Sequence, residues 1–259
     1  MKFNCNIFFY LFLERFQPKL VCDIGSRDGE HSLKFRNLLP EARIIAFEAN
    51  PHNYNAMRSD QNLAQNKIEI IHKAAANRAG KLTFHILQLE NGADEAWRTG
   101  GSSVRSRNDG LPTVEVEVES IRLDEFIEHL DHAPQSAALW IDVEGAAYEV
   151  LEGIERIANL VQVLHVEVEA KETWSGQKLV TDVDALLKRL GFHFVGRGFG
   201  YKEIQYDVVY INRRTFKNSR LKVMWIIGLA VLVTYFERFG GSAYLRLKAI
   251  YLKRGMSGK

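Results

Sequence analysis

Two carboxylates in the first fifth of this chain stand where a bound ligand could meet them, and two glycines accompany the first. Asp23 opens the run Asp-Ile-Gly-Ser-Arg-Asp-Gly, which contains Gly25 and Gly29 and follows an apolar stretch. Glu48 closes a second apolar stretch, Arg43 to Phe47. Glycine lets a backbone approach a ligand closely, and a carboxylate can accept two hydrogen bonds from a ribose diol. These residues indicate a site for a nucleoside-containing ligand.

The glycine spacing narrows the class of ligand. A dinucleotide pyrophosphate needs G-x-G-x-x-G at a helix N-terminus, whereas here three residues separate Gly25 from Gly29, and position 27 is arginine. This spacing disfavours a nicotinamide oxidoreductase and better suits S-adenosylmethionine, which has a ribose and an adenine but no phosphate. The ammonium group of that cofactor would meet Asp23. The alternative is an ordinary tight turn between a strand and a helix.

A second pair of carboxylates, Asp142 and Glu144, follows a wholly apolar run at 137–141. Two residues apart at the end of a buried strand, both side chains could point into one cleft, where they would position or deprotonate an acceptor. The alternative is structural, with Asp142 capping the following turn. A Mg²⁺ or Ca²⁺ site is a third interpretation, but the sequence shows no fixed third ligand, and we predict no metal.

His165 is the third catalytic candidate. It alternates with Glu167 and Glu169 along one apolar run, so the three share a face of the predicted strand. A histidine can act as a base near neutral pH. The alternative is a strand end that emerges into solvent. Trp97 and Trp174 could form an aromatic platform for a sugar ring, or could cover an edge of the core.

The elements that must position these residues alternate between strands and helices. This order predicts an α/β fold with a doubly wound, mostly parallel sheet and helices on both faces. Ligands of such sheets bind beyond the carboxyl ends of the strands, where the strand order reverses. The segment 1–19 is expected to be a helix packed over the first strand. The predicted strands cover 20–24, 43–47, 68–72, 81–87, 114–119, 137–142, 161–168, 192–195 and 205–211.

The net charge of +2 hides an asymmetry between the body and the last 47 residues. The segment 213–259 holds eleven Lys and Arg against one acid, Glu237, which leaves −8 for residues 1–212. An acidic body is a poor candidate for nucleic-acid binding. The uncharged run 223–236 is too short to span a bilayer, but basic residues flank it, so we expect peripheral attachment to an anionic membrane. Packing against the body or a protein partner is the alternative.

The two cysteines, Cys5 and Cys22, make no disulfide framework, and this favours a reducing compartment. We therefore expect a cytoplasmic protein, and the basic tail extends this expectation to the inner face of a membrane. The tail also divides the chain into three parts: an N-terminal helix at 1–19, a catalytic domain at 20–212, and a basic, partly apolar C-terminal appendage at 213–259, expected to be helical.

Five sequence blocks together resemble the FkbM-type S-adenosylmethionine-dependent methyltransferases over residues 20–212. The most specific is Ile-Asp-Val-Glu-Gly at 141–145, followed by Val150-Leu151 and Gly153. The others are the glycine turn, Phe-Glu-Ala-Asn-Pro at 47–51, Ala-Ala at 74–75 before Gly-Lys-Leu-Thr-Phe at 80–84, and Leu-Asp-Glu-Phe at 123–126. One departure is Ser26-Arg27, where the family usually has Ala-Asn.

The resemblance implies a seven-stranded Rossmann-like sheet whose last strand is antiparallel. It also implies methyl transfer to a hydroxyl of a sugar or a natural-product scaffold. Cofactor contacts then fall on Asp23, Gly25, Gly29 and Glu48, with Ala74 or Ala75 beside the adenine. We predict an O-methyltransferase with a small-molecule or glycan acceptor; the alternative is a cofactor-binding scaffold without turnover, at a membrane. The oligomeric state stays open.

Overall fold

The computed structural model describes residues 1–88, 100–200 and 204–239. Trp97 and residues 240–259 lie outside the described residues. The strands are β1 (Leu20–Ile24), β2 (Arg43–Phe47), β3 (Glu69–Ile71), β4 (Ala74–Ala75), β5 (Gly80–Leu87), β6 (Thr113–Ile121), β7 (Ala137–Ile141), β8 (Val161–Glu169), β9 (Phe192–Arg197) and β10 (Gln205–Asn212). The helices are α1 (Cys5–Phe16), α2 (Glu30–Leu38), α3 (Pro51–Ser59), α4 (Gln61–Gln65), α5 (Leu123–Glu128), α6 (Ala147–Glu152), α7 (Val180–Arg189), α8 (Arg213–Asn218) and α9 (Arg220–Phe239), with a 3-10 turn at Glu155–Ile157.

Seven strands form the main sheet in the order β3-β2-β1-β7-β8-β10-β9. The pairs among β3, β2, β1, β7 and β8 are parallel, and β10 runs antiparallel to both β8 and β9. The predicted doubly wound, seven-stranded sheet with an antiparallel last strand is therefore confirmed. The strand order reverses between β1 and β7, which places the expected ligand site at their carboxyl ends.

The central strands are apolar throughout because both of their faces are covered. All five residues of β1 and all five of β7 are buried. One face packs against α5, α6 and α7, and the other packs against α1, α2 and α9. The interlude between the two halves forms a separate three-stranded sheet in the order β4-β6-β5. This small sheet brings Ala74 and Phe84 to the same edge as the ends of β1 and β7.

The C-terminal helix α9 packs against the N-terminal helix α1 instead of standing apart from the domain. Its residues Val223, Ile226 and Ala230 are fully buried in the same apolar cluster as Phe8 and other side chains of α1. One face of the uncharged run 223–236 therefore packs against the body, as the alternative to membrane attachment predicted. The sequence pattern alone did not indicate which face packs, since the helix has apolar residues on two faces. None of the helices within the described ranges is long and apolar enough to cross a bilayer.

Candidate functional site

A cleft of about 330 Å³ lies at the carboxyl edge of the main sheet, where the strand order reverses. The turn after β1 and the end of β2 form one wall, and the residues after β7 form the other. The small sheet and the segment 100–104 close it on a third side. Seven of the nine residues predicted to form the site line this cleft: Asp23, Gly25, Glu48, Ala74, Ala75, Asp142 and Glu144.

Gly25 lies where the turn after β1 crosses the end of β7. Its φ is +81°, and a Cβ added there would lie 2.0 Å from the carbonyl oxygen of Asp142. The amides of Gly25 and Ser26 donate to the carbonyl of Phe47 at 3.0 and 3.1 Å. Only glycine fits such a contact at positive φ. The turn therefore ties the two walls of the cleft together.

Glu48 is 5% exposed and is held by donors from two loops. Its Oε1 accepts from the amide of Asn50, and its Oε2 accepts from the amide of Arg27, both at 2.7 Å. Burial raises the pKa of Glu48 to about 7, against the effect of these hydrogen bonds and one from Asn53. A carboxylate has about four acceptor positions, so these three donors leave about one position for a hydroxyl of a ribose diol in the cleft.

The departure Ser26-Arg27 changes the donors around the turn. The hydroxyls of Ser26 and Ser32 donate to Asp23 Oδ2 at 2.8 and 2.6 Å. Burial raises the pKa of Asp23 to about 6, and the two hydroxyls oppose that rise. Arg27 takes the left-handed conformation, with φ +57°, and its half-exposed side chain pairs with Asp28. Serine at position 26 thus supplies a donor that alanine lacks.

Gly29 is not among the residues that line the cleft, although Asp28 and Glu30 beside it are, and its cofactor contact stays a prediction. It precedes α2 with φ +77°, and a Cβ there would lie 2.6 Å from Leu63 Cδ2. This glycine lets α2 pack closely against α4. Ala74 and Ala75 do line the cleft and are 5% and 8% exposed, so they offer a small apolar wall of the kind an adenine needs.

Three carboxyl groups face one another across the other wall: Asp142, Glu144 and Glu167, named here the β7–β8 carboxylates. Glu167 forms a side-chain hydrogen bond with Asp142. Gln205, the first residue of β10, donates through Nε2 to Glu144 Oε2 at 3.0 Å and to Glu167 Oε2 at 2.7 Å. Because β10 is antiparallel, its first residue lies at the carboxyl edge of its neighbours.

Burial raises the pKa of every β7–β8 carboxylate, and repulsion from neighbouring acids adds to the rise for Glu144 and Glu167. The pKa of Glu144 rises to about 7, from burial first and then from Asp142. The pKa of Glu167 rises far above its usual range, from burial and from the charges of Asp142 and Glu144. Glu167 is therefore protonated near neutral pH, and its hydroxyl donates a hydrogen bond to Asp142. The pKa of Asp142 is itself raised by burial.

Glu169 lies one step further along β8 and accepts from the amide of Gly145 at 3.0 Å. Single oxygens of Glu144, Glu167 and Glu169 lie within 4.8 Å of one another, a spacing that a cation or shared protons would fit. Gln205 and the Gly145 amide already donate hydrogen bonds into this group. The absence of a resident metal stays a prediction.

His165 lies deep under α1, away from the lining of the cleft, and its prediction as a base is corrected. It is 1% exposed, stacks on Trp140 at 3.5 Å between ring centroids, and its Nε2 lies 3.0 Å from Asn6 Oδ1. Burial lowers the pKa of His165 well below its usual value. The residue is a neutral core histidine. The prediction that His165 shares a face of β8 with Glu167 and Glu169 was right, but α1 covers that face at His165.

Glu167 and Gln205 are the site residues that sequence reasoning left out of its candidates. Glu167 carried a signal, since an acid two residues from His165 in an apolar run sits on the same face of the strand. No sequence signal pointed to Gln205, because its position in the cleft depends on the antiparallel insertion of β10 next to β8. Trp174 is no platform: it is 3% exposed and packs against Gly145, with the guanidinium of Arg107 5.3 Å above its ring.

A doubly wound sheet of this order, with a glycine turn and two buried carboxylates at its switch point, is that of an S-adenosylmethionine-dependent methyltransferase. Residues 23–194 match the methyltransferase FkbM domain. The chain belongs to this family, and its cofactor is S-adenosylmethionine.

Relatives with names that specify an activity are similar over about two thirds of the chain. The 2-O-methyltransferase NoeI of Sinorhizobium fredii is 27% identical over 178 residues, which cover 64% of this chain and 69% of NoeI. The hexuronic acid methyltransferase AglP of Haloferax volcanii is 22% identical, over 60% of this chain and 57% of AglP. Among solved structures, a putative O-methyltransferase from Klebsiella pneumoniae gives a TM-score of 0.45 at 12% identity, over 80% and 79% of the two chains.

Proposed function

We propose that this enzyme transfers a methyl group to a hydroxyl of a sugar or a sugar-like natural product. The observation that carries the proposal is the set of β7–β8 carboxylates in the same cleft as Glu48 and Asp23. A hydroxyl that receives a methyl group must lose its proton, and a cleft with several carboxyl groups offers a base to take it. The names of NoeI, a 2-O-methyltransferase, and AglP, a hexuronic acid methyltransferase, support this class of acceptor.

The residues of the first wall suit the cofactor. Glu48 would take the ribose diol with oxygens already fixed by two amides, and Ala74 and Ala75 would lie along the adenine. Asp23 would face the ammonium group, since it lines the cleft and keeps a carboxylate oxygen, Oδ1, apart from the two serine hydroxyls on Oδ2. When bound, S-adenosylmethionine supplies a methyl group on a positively charged sulfur.

The residues of the second wall handle the acceptor and its proton. The bound cofactor would supply the methyl group to the acceptor oxygen and keep the electron pair of the carbon–sulfur bond, and Glu144 would take the proton of the acceptor hydroxyl. A pKa of about 7 suits Glu144 to this task, because it is ionised in a useful fraction near neutral pH. Asp142 would accept a hydrogen bond from the hydroxyl that is methylated or from a neighbouring hydroxyl. Protonated Glu167 holds Asp142 in place through a hydrogen bond, and Gln205 holds Glu144 and Glu167.

The test is a screen of sugar and natural-product hydroxyl acceptors with a methyl-labelled cofactor, read by mass spectrometry of the product. We expect labelled methyl on oxygen in at least one class of acceptor, with one S-adenosylhomocysteine released per methyl transferred. Transfer to nitrogen or carbon would contradict the proposal. Cofactor binding with no consumption across the panel would favour the scaffold alternative.

The remaining expectations about partners and location are proposals of the same kind. A body with a net charge of −8 over residues 1–212 supports a small-molecule or glycan acceptor and disfavours nucleic acid. Cys5 and Cys22 are both buried free thiols, as a reducing cytoplasmic location would require. The measurement is fractionation of cells that express the chain, with binding to polyanionic RNA as a separate control.

A further inference from the structure

We propose that the outer face of α9 is a docking surface for an anionic lipid bilayer. The inner face of this helix is buried: Val223, Ile226 and Ala230 contribute to the core, and the hydroxyl of Thr234 accepts from the amide of Asn4 at 2.8 Å. These residues recur every three or four positions, so they form one stripe. The helix is therefore rigidly placed on the domain and presents its opposite side outward.

The outer side carries a second apolar stripe that the fold leaves in solvent. Leu221 is 87% exposed, Trp225 60%, Met224 51% and Leu232 49%. The spacing of four and seven residues between positions 221, 225 and 232 aligns them along the axis of the helix. Soluble surfaces rarely gather large apolar side chains in this way, and such a patch marks an interaction surface.

The charged residues near this apolar stripe indicate which kind of partner binds there. Five exposed cations lie at or before the first turns of α9, namely Arg213, Arg214, Lys217, Arg220 and Lys222. No Asp or Glu occurs between 213 and 236. A tryptophan and aliphatic side chains next to lysines and arginines fit the boundary between acyl chains and anionic headgroups.

A second copy of the chain fits this surface less well. An α9-to-α9 contact would bring two copies of the cationic segment 213–222 together, and this segment holds five Lys and Arg and no acid. A bilayer with anionic lipid neutralises these charges. We therefore commit to the bilayer and treat self-association as an outcome that would overturn it.

The experiment is vesicle co-sedimentation of the full chain, with phosphatidylcholine vesicles that contain or lack phosphatidylglycerol. We expect binding to the anionic vesicles alone, weakened as salt shortens the electrostatic range. The emission of Trp225 should shift to the blue on binding and be freely quenched by acrylamide without vesicles. Trp225→Phe, which keeps an apolar aromatic ring, should remove the shift and retain the binding.

Trp225→Gln with Leu232→Gln should lower the vesicle partition coefficient about 10-fold or more, since two large apolar side chains leave the interface. Leu111→Gln is the matched control and should leave partition unchanged, because Leu111, at 45%, is nearly as exposed as Leu232 and lies elsewhere on the surface. Lys217→Ala with Lys222→Ala should lower partition about fivefold per residue removed. No binding at low salt, equal binding by the glutamine double variant, or a concentration-dependent dimer that this variant abolishes would each overturn the proposal.

Discussion

The two walls of the cleft hold their carboxylates in opposite ways. On the first wall, Asp23 faces two hydroxyl donors and Glu48 faces two amide donors. On the second wall, Glu167 faces Asp142, and Gln205 is a donor shared between two acids. Burial raises the pKa on both walls; hydrogen-bond donors oppose the rise for Asp23 and Glu48 on the first wall, whereas neighbouring acids add to it for Glu144 and Glu167 on the second. The first arrangement suits binding, and the second suits proton transfer.

The largest expected effect separates turnover from binding. Glu144→Gln keeps the shape of the side chain and its contact with Gln205 but removes the proton acceptor. We expect kcat to fall by about 10²-fold or more, because a general base contributes 10²–10⁴-fold. Cofactor affinity, measured by calorimetry, should barely change. Glu117→Gln, which alters an exposed carboxylate of β6 far from the cleft, is the control.

The pH profile of the wild type sharpens the same prediction. If Glu144 is the base, kcat should rise with pH through an apparent pKa near 7, the value to which burial raises this group. The Glu144→Gln variant should lose that limb of the profile. A variant with the wild-type rate, or with the same limb, would mean that the proton leaves by another group.

The next effect falls on binding. Glu48→Ala removes the acceptor of a ribose diol and leaves the amides of Arg27 and Asn50 without theirs. We expect a loss of about 1.5–3 kcal/mol in cofactor affinity, or roughly 10–150-fold in Kd. Asp28→Ala, which changes an exposed carboxylate in the same turn, should have little effect. If calorimetry shows the two variants to be alike, the ribose assignment fails.

The smallest expected effect is on the free energy of unfolding. A glutamine substitution on the second wall should raise it at pH 8, whereas one on the first wall should not. A carboxyl group with a raised pKa in the folded state binds more protons there than in the unfolded chain, so it lowers stability as pH rises above about 4.5. Glu167→Gln mimics the protonated acid and retains both hydrogen bonds. It should therefore raise the free energy of unfolding at pH 8 by roughly 1–3 kcal/mol and leave it nearly unchanged at pH 4.

Chemical denaturation at the two pH values measures this difference. The corresponding change on the first wall, Glu48→Gln, replaces an acceptor of two amide hydrogen bonds and should show no such gain at pH 8. Equal gains for both variants would show that burial alone, and not the facing acids, governs the second wall.

The sequence predicted the frame of this site better than its occupants. Apolar runs that end in Asp23, Glu48 and Asp142 have a meaning that depends on neighbouring residues alone, and the parallel order follows from the alternation of strands and helices. The contacts of Gln205 and His165 depend on what lies across the sheet. A strand pattern cannot show that α1 covers His165 or that β10 enters between two earlier strands, because both are long-range choices of the fold.

The hydrogen bond between Asn4 and Thr234 joins residues 230 positions apart in the chain. Its consequence concerns the order of folding. During synthesis, α1 is made long before α9. The apolar cluster that the two helices share on that face of the sheet is therefore complete only after α9 has been synthesised. Contacts of such long sequence separation slow folding and leave an apolar surface open to aggregation in the meantime. Refolding experiments should therefore show the fluorescence of Trp140, beneath α1, reaching its native value in the last phase.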